Sequence, residues 1–335
     1  MMMRLVMALA RACGTISKKM DAAAAARDRY SISDELAEGA GSPTVVVLRD
    51  YQSGTSAAIA PSEGGQLTSF HVRFRRFPVE LIYRHKESNS ESGFRGRAGF
   101  LWPAVGVQSS DGSAGKLPWT ELRRSVGTDG AVLILELQDS EQSRADYPFG
   151  FVLRAVYELF EGRLSITYTV SAALNNAGPM QFSIGNRIAF RLPFVTGTKP
   201  EAMRFQSNCT TQILRSSEGI LTGEQTERSF TDLTSLGEFD ATSQLPLAGY
   251  QGTPYALLVD PQGICIRITH QASAMLPEPV VRFNLSGGPG QGFLCPAPFF
   301  GMENSLNSGK ALVRLDPGAD FHWRLELLPD VADAK

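Results

Sequence analysis

Strict alternation of apolar and polar residues around a two-residue turn is the feature that most constrains the fold of this 335-residue chain. Apolar side chains occupy every second position on both sides of Glu161-Gly162, namely Phe151, Leu153, Ala155, Tyr157 and Leu159, then Leu164, Ile166, Tyr168 and Val170. A period of two is that of a β-strand, and an Xaa-Gly pair suits the tight turn of an antiparallel hairpin. The sequence therefore predicts a hairpin over residues 151–171.

Other β-rich runs surround this hairpin and are separated by turn-forming residues. They cover residues 44–48, 131–138, 181–184, 255–260, 264–269, 280–285, 311–315 and 321–328. No helix-length amphipathic segment lies between them, which excludes folds that need crossover helices. The absence of a fixed-period repeat disfavours a propeller. The sequence therefore predicts an all-β fold, a large antiparallel β-sandwich.

The chain divides into a predicted tail, residues 1–42, and a predicted single sandwich domain, residues 43–331. The tail is alanine-rich with little apolar periodicity, so we expect it to be disordered or helical and its removal to leave stability unchanged. Its start resembles a poor signal peptide because Arg11 interrupts a short apolar run. We expect a cytoplasmic protein, with secretion as the alternative and Met20 as another plausible start.

Composition excludes several classes of function. The chain carries 32 Lys+Arg against 34 Asp+Glu, without the basic excess of a nucleic-acid-binding protein. It has no run of about 20 apolar residues that could cross a bilayer. Its four cysteines and four histidines are scattered, so no metal site is predicted from their spacing. We expect no nucleic-acid partner, no metal, and a monomer or weak dimer.

Five segments, in chain order, resemble motifs of the aldose 1-epimerase (galactose mutarotase-like) family. They are Ala58 to Phe70, Gly96-Arg97-Ala98-Gly99-Phe100-Leu101-Trp102-Pro103, Tyr147-Pro148-Phe149, Gly185-Asn186-Arg187-Ile188-Ala189-Phe190-Arg191-Leu192-Pro193, and Leu294 to Phe299 with Leu315 to Gly318. The resemblance covers about residues 44–329. It implies the family's large sandwich, a supersandwich, and its reaction on hexoses, anomer interconversion without a cofactor.

That reaction needs a general base for the anomeric hydroxyl and a general acid for the ring oxygen, which in the family are a Glu and a His. At the matching positions this sequence departs from the family. Arg187 stands in place of the motif histidine and Ala297 in place of the glutamate, while Thr120 aligns with a second histidine. Arginine does not release its proton near neutral pH and alanine has none to transfer. Glu303 is the candidate for a displaced base, although glutamate's usual exposure predicts a solvated loop residue.

The resemblance also suggests residues that contact a sugar: Arg97, Trp102, Arg124, Asn186 and Arg187. For two of them there is a structural alternative. Trp102 suits the core of a sandwich as well as a stacking surface, and Arg124 can pair with the nearby Glu121.

We therefore expect a family member that binds a hexose-type carbohydrate, with mutarotation weak or lost. Two alternatives stay open. One is an active sugar epimerase that uses Glu303, and the other is a non-catalytic carbohydrate-processing or structural sandwich module.

Overall fold

The computed structural model describes residues 28–37, 43–84, 97–106, 113–238 and 241–332. These residues form strands numbered along the chain: β1 (Tyr30–Leu36), β2 (Thr44–Asp50), β3 (Thr55–Ala60), β4 (Gln66–Phe74), β5 (Phe77–Glu80), β6 (Ala98–Leu101), β7 (Thr120–Gly127), β8 (Gly130–Gln138), β9 (Phe151–Phe160), β10 (Arg163–Ala172), β11 (Met180–Phe182), β12 (Ile184–Ile188), β13 (Phe190–Arg191), β14 (Arg204–Ser207), β15 (Cys209–Arg215), β16 (Leu221–Glu227), β17 (Thr234–Ser235), β18 (Ala241–Tyr250), β19 (Tyr255–Asp260), β20 (Ile264–Ala272), β21 (Val281–Gly288), β22 (Phe293–Gly301), β23 (Val313–Leu315) and β24 (Asp320–Val331). The two α-helices among these residues are short: α1 (Glu141–Asp146) and α2 (Ser305–Ser308).

Two large antiparallel sheets make up most of the molecule. The first sheet has the strand order β1-β2-β3-β4-β6-β12-β22-β21-β18-β15-β16, with β5 beside β4 and β13 beside β22. The second sheet has the order β17-β14-β19-β20-β24-β10-β9-β8-β7. Apolar side chains from both sheets form one large buried cluster between them. The predicted all-β antiparallel sandwich is confirmed.

The predicted hairpin is β9 and β10, in the middle of the second sheet. Arg163 pairs with Phe160, so Glu161 and Gly162 are the two turn residues, with φ of 48° and 75°. Two positive φ values are what a type I′ turn requires, and this turn matches the twist of the strands that it joins. The alternating apolar residues of both strands are buried in the core.

The first sheet has a second face, here called the outer face, which points away from this core. Alternation along each strand divides the side chains between the two faces, so that Phe100 packs in the core while Leu101 packs on the outer face. One buried apolar patch on the outer face includes Leu101, Val105, Ala189, Cys295, Ala297 and Phe299. A smaller patch consists of Val45, Val47, Ala58 and Ala60.

Part of the predicted tail belongs to the sandwich. Strand β1 pairs with β2 from Tyr30 opposite Asp50 to Leu36 opposite Thr44, and Arg29 donates two hydrogen bonds of 3.0 Å to the Asp50 carboxylate. The prediction that residues up to 42 lie outside the domain is wrong for this strand, because distant backbone pairing and a buried carboxylate hold it. Residues 1–27 and 38–42 of the predicted tail lie outside the described residues.

Within the described ranges, no helix is both long enough and apolar enough to span a lipid bilayer.

Candidate functional site

Arg187 lies on the outer face, at the centre of the first sheet. Its neighbours on β12, Asn186 and Ile188, are buried on the core side, so alternation directs Arg187 outward together with Gly185. The guanidinium donates a hydrogen bond of 2.5 Å from Nη2 to the carbonyl oxygen of Gly106. The position predicted to match the family histidine therefore carries a guanidinium that is directed to the outer face.

Ala297 lies on the same face, on the adjacent strand β22. It pairs across the strands with Asn284 of β21, and paired residues share a sheet face. Asn284 Nδ2 donates a hydrogen bond of 3.1 Å to Glu303 Oε1. The carboxylate of Glu303 thus reaches the partner of Ala297 from beyond the end of the strand.

Glu303 belongs to a buried polar cluster of four side chains, here called the Glu303 cluster. Its members are Glu303, Arg215, Asn284 and Gln244. Arg215 donates from Nη1 to Glu303 Oε2 at 2.7 Å and from Nη2 to Oε1 at 3.0 Å. Gln244 Oε1 accepts from Arg215 Nη2 at 3.2 Å and from Asn284 Nδ2 at 3.1 Å. Glu303 is only 8% exposed, so the sequence-based expectation of a solvated loop residue is wrong, because a planar two-bond pair compensates the buried charge.

Arg187 and the Glu303 cluster meet at Gly106. The carbonyl oxygen of Gly106 accepts the hydrogen bond from Arg187, and a Cβ placed on Gly106 would lie 3.1 Å from the Cβ and Cγ atoms of Glu303. The structure therefore brings together three positions named from the sequence, Arg187, Ala297 and Glu303.

Two buried polar atoms of the Glu303 cluster have no hydrogen-bond partner. They are Asn284 Oδ1 and Arg215 Nε. Buried polar atoms nearly always have a partner, which a ligand or water can supply. One is an acceptor and the other a donor, and a sugar hydroxyl is able to satisfy either.

The thiol of Cys295 lies beside Arg187 on the outer face. Burial raises its pKa to about 12, although the positive charge of Arg187 acts in the opposite direction. The thiol therefore remains protonated near neutral pH, and we assign it a packing role.

Two residues predicted to touch a sugar lie in the sandwich core instead. Trp102 is fully buried, with its ring 4.5 Å from that of Phe151 between centroids. Asn186 is 1% exposed and donates to the hydroxyl of Tyr168 at 2.9 Å. Both side chains take the core side of their segments, and their contact with a sugar stays a prediction.

Three further candidates lie away from the Glu303 cluster. Arg97 pairs with Glu63 beside β4. Thr120 and Arg124 belong to β7, the edge strand of the second sheet, and Arg124 is held by Glu121 and Asp34. Arg97 nevertheless lies close to Arg187, because its carbonyl oxygen accepts from Ala189 N at 3.0 Å and Gly99, two residues further on, pairs with Arg187.

Three histidines lie within the described residues, on β4, β20 and β24, and none of these strands carries a member of the Glu303 cluster. His270 is buried in the core, where its Nδ1 accepts from Trp323 Nε1 at 3.2 Å, and burial with the nearby Arg282 lowers its pKa to about 3. His322 bonds Thr169 on the second sheet. His71 is on the outer face, on β4. No group of three or more metal-ligating side chains occurs among the residues that the structure describes.

Sequence reasoning missed Asn284, Arg215 and Gln244. Asn284 could have been noticed from the sequence, because it is a polar residue between the two apolar residues Phe283 and Leu285 of a predicted strand. Both of these neighbours are fully buried in the structure. Arg215 and Gln244 give no such signal, because only the tertiary fold brings them to Glu303.

The two-sheet architecture is shared with solved structures of mutarotase-like proteins. A galactose mutarotase-like protein from Clostridium acetobutylicum has a TM-score of 0.72 and 16% identity, over 91% of this chain and 100% of that chain. A galactose 1-epimerase from Lactobacillus acidophilus has a TM-score of 0.66 and 15% identity, over 91% and 99%. A Synechocystis protein has a TM-score of 0.69 and 21% identity, over 89% and 99%. These likenesses define the fold.

The sequence model of aldose 1-epimerase matches residues 94–278. This match spans more than half of the chain, which therefore belongs to the aldose 1-epimerase family. No curated protein sequence gives a significant match to the chain.

Proposed function

We propose that this protein binds a hexose-type carbohydrate on the outer face between Arg187 and the Glu303 cluster, and that its mutarotation of unmodified hexoses is weak or lost. The observation that carries the proposal is the chemistry of the two central positions. Arg187 holds a fixed positive charge, and Ala297 has no proton to transfer. Each acid or base group typically contributes about 10²–10⁴-fold to such a reaction.

The site remains suited to binding after that loss. Arg187 and Arg215 are hydrogen-bond donors, Glu303 and Gln244 are acceptors, and the unpartnered Asn284 Oδ1 is a further buried acceptor. Such groups beside an apolar patch match a sugar, which has hydroxyl groups at its rim and apolar C–H faces.

A second candidate function is active epimerisation with Glu303 as the base. Its support is the position of the carboxylate, which is bonded to the cross-strand partner of Ala297. Against it, both carboxylate oxygens already accept hydrogen bonds from Arg215. A proton would have to reach a remaining lone pair of a carboxylate that is only 8% exposed.

The test measures binding and catalysis on the same protein. We expect glucose or galactose to bind by titration calorimetry or ligand-observed NMR. We expect polarimetry of freshly dissolved α-anomers, at micromolar protein, to show a rate close to that in buffer, since two proton carriers worth about 10²–10⁴-fold each are missing.

The matched control is Glu326→Gln, because Glu326 also pairs with an arginine, Arg324, at 3.2 Å, but on the second sheet. Mutarotation well above buffer that is lost in Glu303→Gln and retained in Glu326→Gln would establish the second candidate. Failure of every hexose to bind would overturn the proposal and favour a sandwich module without a sugar site.

A further inference from the structure

A groove of about 800 Å³ lies on the outer face over strands β1 to β5. Its lining residues include Val45, Val47, Ala58, Ser69, His71, Glu80, Tyr83 and Arg191. Pockets for small-molecule ligands typically measure about 300–1,000 Å³, so the groove by itself has room for a ligand of that kind.

The floor of the groove is apolar and its wall is polar. Val45, Val47 and Ala58 form the floor as one of the outer-face patches. Arg49 and Glu35 form an ion pair at 2.6 Å on the lining. An apolar surface flanked by donors and acceptors matches a sugar ring better than it matches a wholly apolar ligand.

His71 is a polar group of the groove whose ring is held on one side by Ser69. Glu80 is fixed by the backbone, because its Oε1 accepts from the N–H groups of Phe70 at 2.9 Å and Ile82 at 2.8 Å. Ser69 Oγ donates to Glu80 Oε2 at 2.5 Å and lies 3.0 Å from His71 Nδ1. Since the serine proton is used on Glu80, Nδ1–H is the donor to Ser69, and in the neutral ring Nε2 remains an acceptor.

The groove borders the outer-face patch that contains Ala297, and Tyr83 belongs to both. Tyr83 lines the groove, packs against the outer-face patch that contains Ala297, and has its ring centroid 4.9 Å from that of Phe293. Its backbone N–H donates to Ala189 O at 2.8 Å, and Ala189 lies two residues from Arg187. Tyr83 therefore contacts both the groove and the apolar patch near Arg187.

We infer that the ligand is an oligosaccharide of at least two residues, with one residue at Arg187 and the Glu303 cluster and the next across Tyr83 in the groove, against His71. This inference rests on the proposed function. A second pair of catalytic groups is not the better explanation of the groove. His71 Nε2 lies 3.7 Å from Glu80 Oε2, whereas the acid and base of mutarotation must lie on opposite sides of the sugar.

The experiment compares saccharides of one, two and three residues in α- and β-linked glucose and galactose series, by titration calorimetry. In the series that binds, we expect the second residue to raise affinity about tenfold, equivalent to about 1.4 kcal/mol of added contact. In His71→Ala we expect the ratio of disaccharide to monosaccharide affinity to fall close to one. The matched control is His322→Ala, on the second sheet, which should keep the wild-type ratio.

Three contradicting outcomes are distinguishable. Equal affinity for one, two and three residues, with the monosaccharide bound, would overturn the oligosaccharide inference and leave the proposed function standing. No binding of any saccharide would overturn the proposed function. An unchanged ratio in His71→Ala would remove His71 and the groove from the binding surface.

Discussion

Replacement of Glu303 by Gln is expected to lower the free energy of unfolding by about 2–4 kcal/mol, because it leaves Arg215 without a counter-charge in a mostly buried setting. The side chains of Glu303 and Arg215 are only 9% and 22% exposed. The amide would also present donors where Arg215 and Asn284 donate now. Urea denaturation at neutral pH measures the loss, and the Glu326→Gln variant, whose pair is exposed, should lose less than about 1 kcal/mol.

The double variant Glu303→Gln with Arg215→Met separates charge loss from packing. Removing both partners leaves no isolated charge. We therefore expect the double variant to lose less free energy of unfolding than the two single variants lose together. In both single variants hexose binding should weaken at least about tenfold. Wild-type stability and binding in Glu303→Gln would contradict the assignment of this cluster as a buried binding element.

Replacement of Asp50 by Asn is expected to cost about 2–4 kcal/mol of stability at pH 7. The Asp50 carboxylate has no exposed side-chain surface. It accepts two hydrogen bonds from Arg29 and one of 3.0 Å from Gly162 N. It thus joins β1 to the hairpin turn of the second sheet. Asparagine keeps the shape but loses the charge and one of the two acceptor oxygens.

The effect of this substitution should depend on pH. Burial alone would raise the pKa of the Asp50 carboxyl, but hydrogen bonds from Arg29 and Ser53 outweigh burial and hold that pKa below its ordinary value. A lowered pKa in the folded state stabilises the protein above the unfolded-state pKa of about 3.9, and this stabilisation is lost as the pH falls through the folded-state pKa. Urea midpoints of wild type and Asp50→Asn should therefore differ most above about pH 4 and converge below it. A difference that stayed constant down to pH 2 would contradict this role.

Sequence alone was sufficient for the fold class, because alternation reports strands directly. In the hairpin of residues 151–171 the pattern, the turn and the burial all agree. It was not sufficient for β1. The side chains of Tyr30 to Leu36 are mostly only partly buried, and the stabilising contact of this region joins Arg29 to Asp50, 21 residues away. No local pattern reports a contact of that range.

Only part of the candidate site could be predicted from the sequence, because strand register and long-range contacts decide which side chains meet there. The sequence analysis named Asn186 and Arg187 together as one motif, yet the two neighbours face opposite sides of one sheet. Which neighbour faces a ligand depends on strand register, which a motif does not report. For Glu303, the sequence offers a carboxylate near Ala297 but cannot show that Arg215 buries it.

Gly106 lies between Arg187 and Glu303, and its lack of a side chain allows these two residues to approach each other. Its φ of 132° is one that other residues rarely adopt, and the space beside its α-carbon is filled by the Glu303 side chain. A methyl group at this position would press against the Glu303 side chain and increase its distance from Arg187 without removing either charge. The spacing between Arg187 and Glu303 thus depends on the absence of a side chain at Gly106.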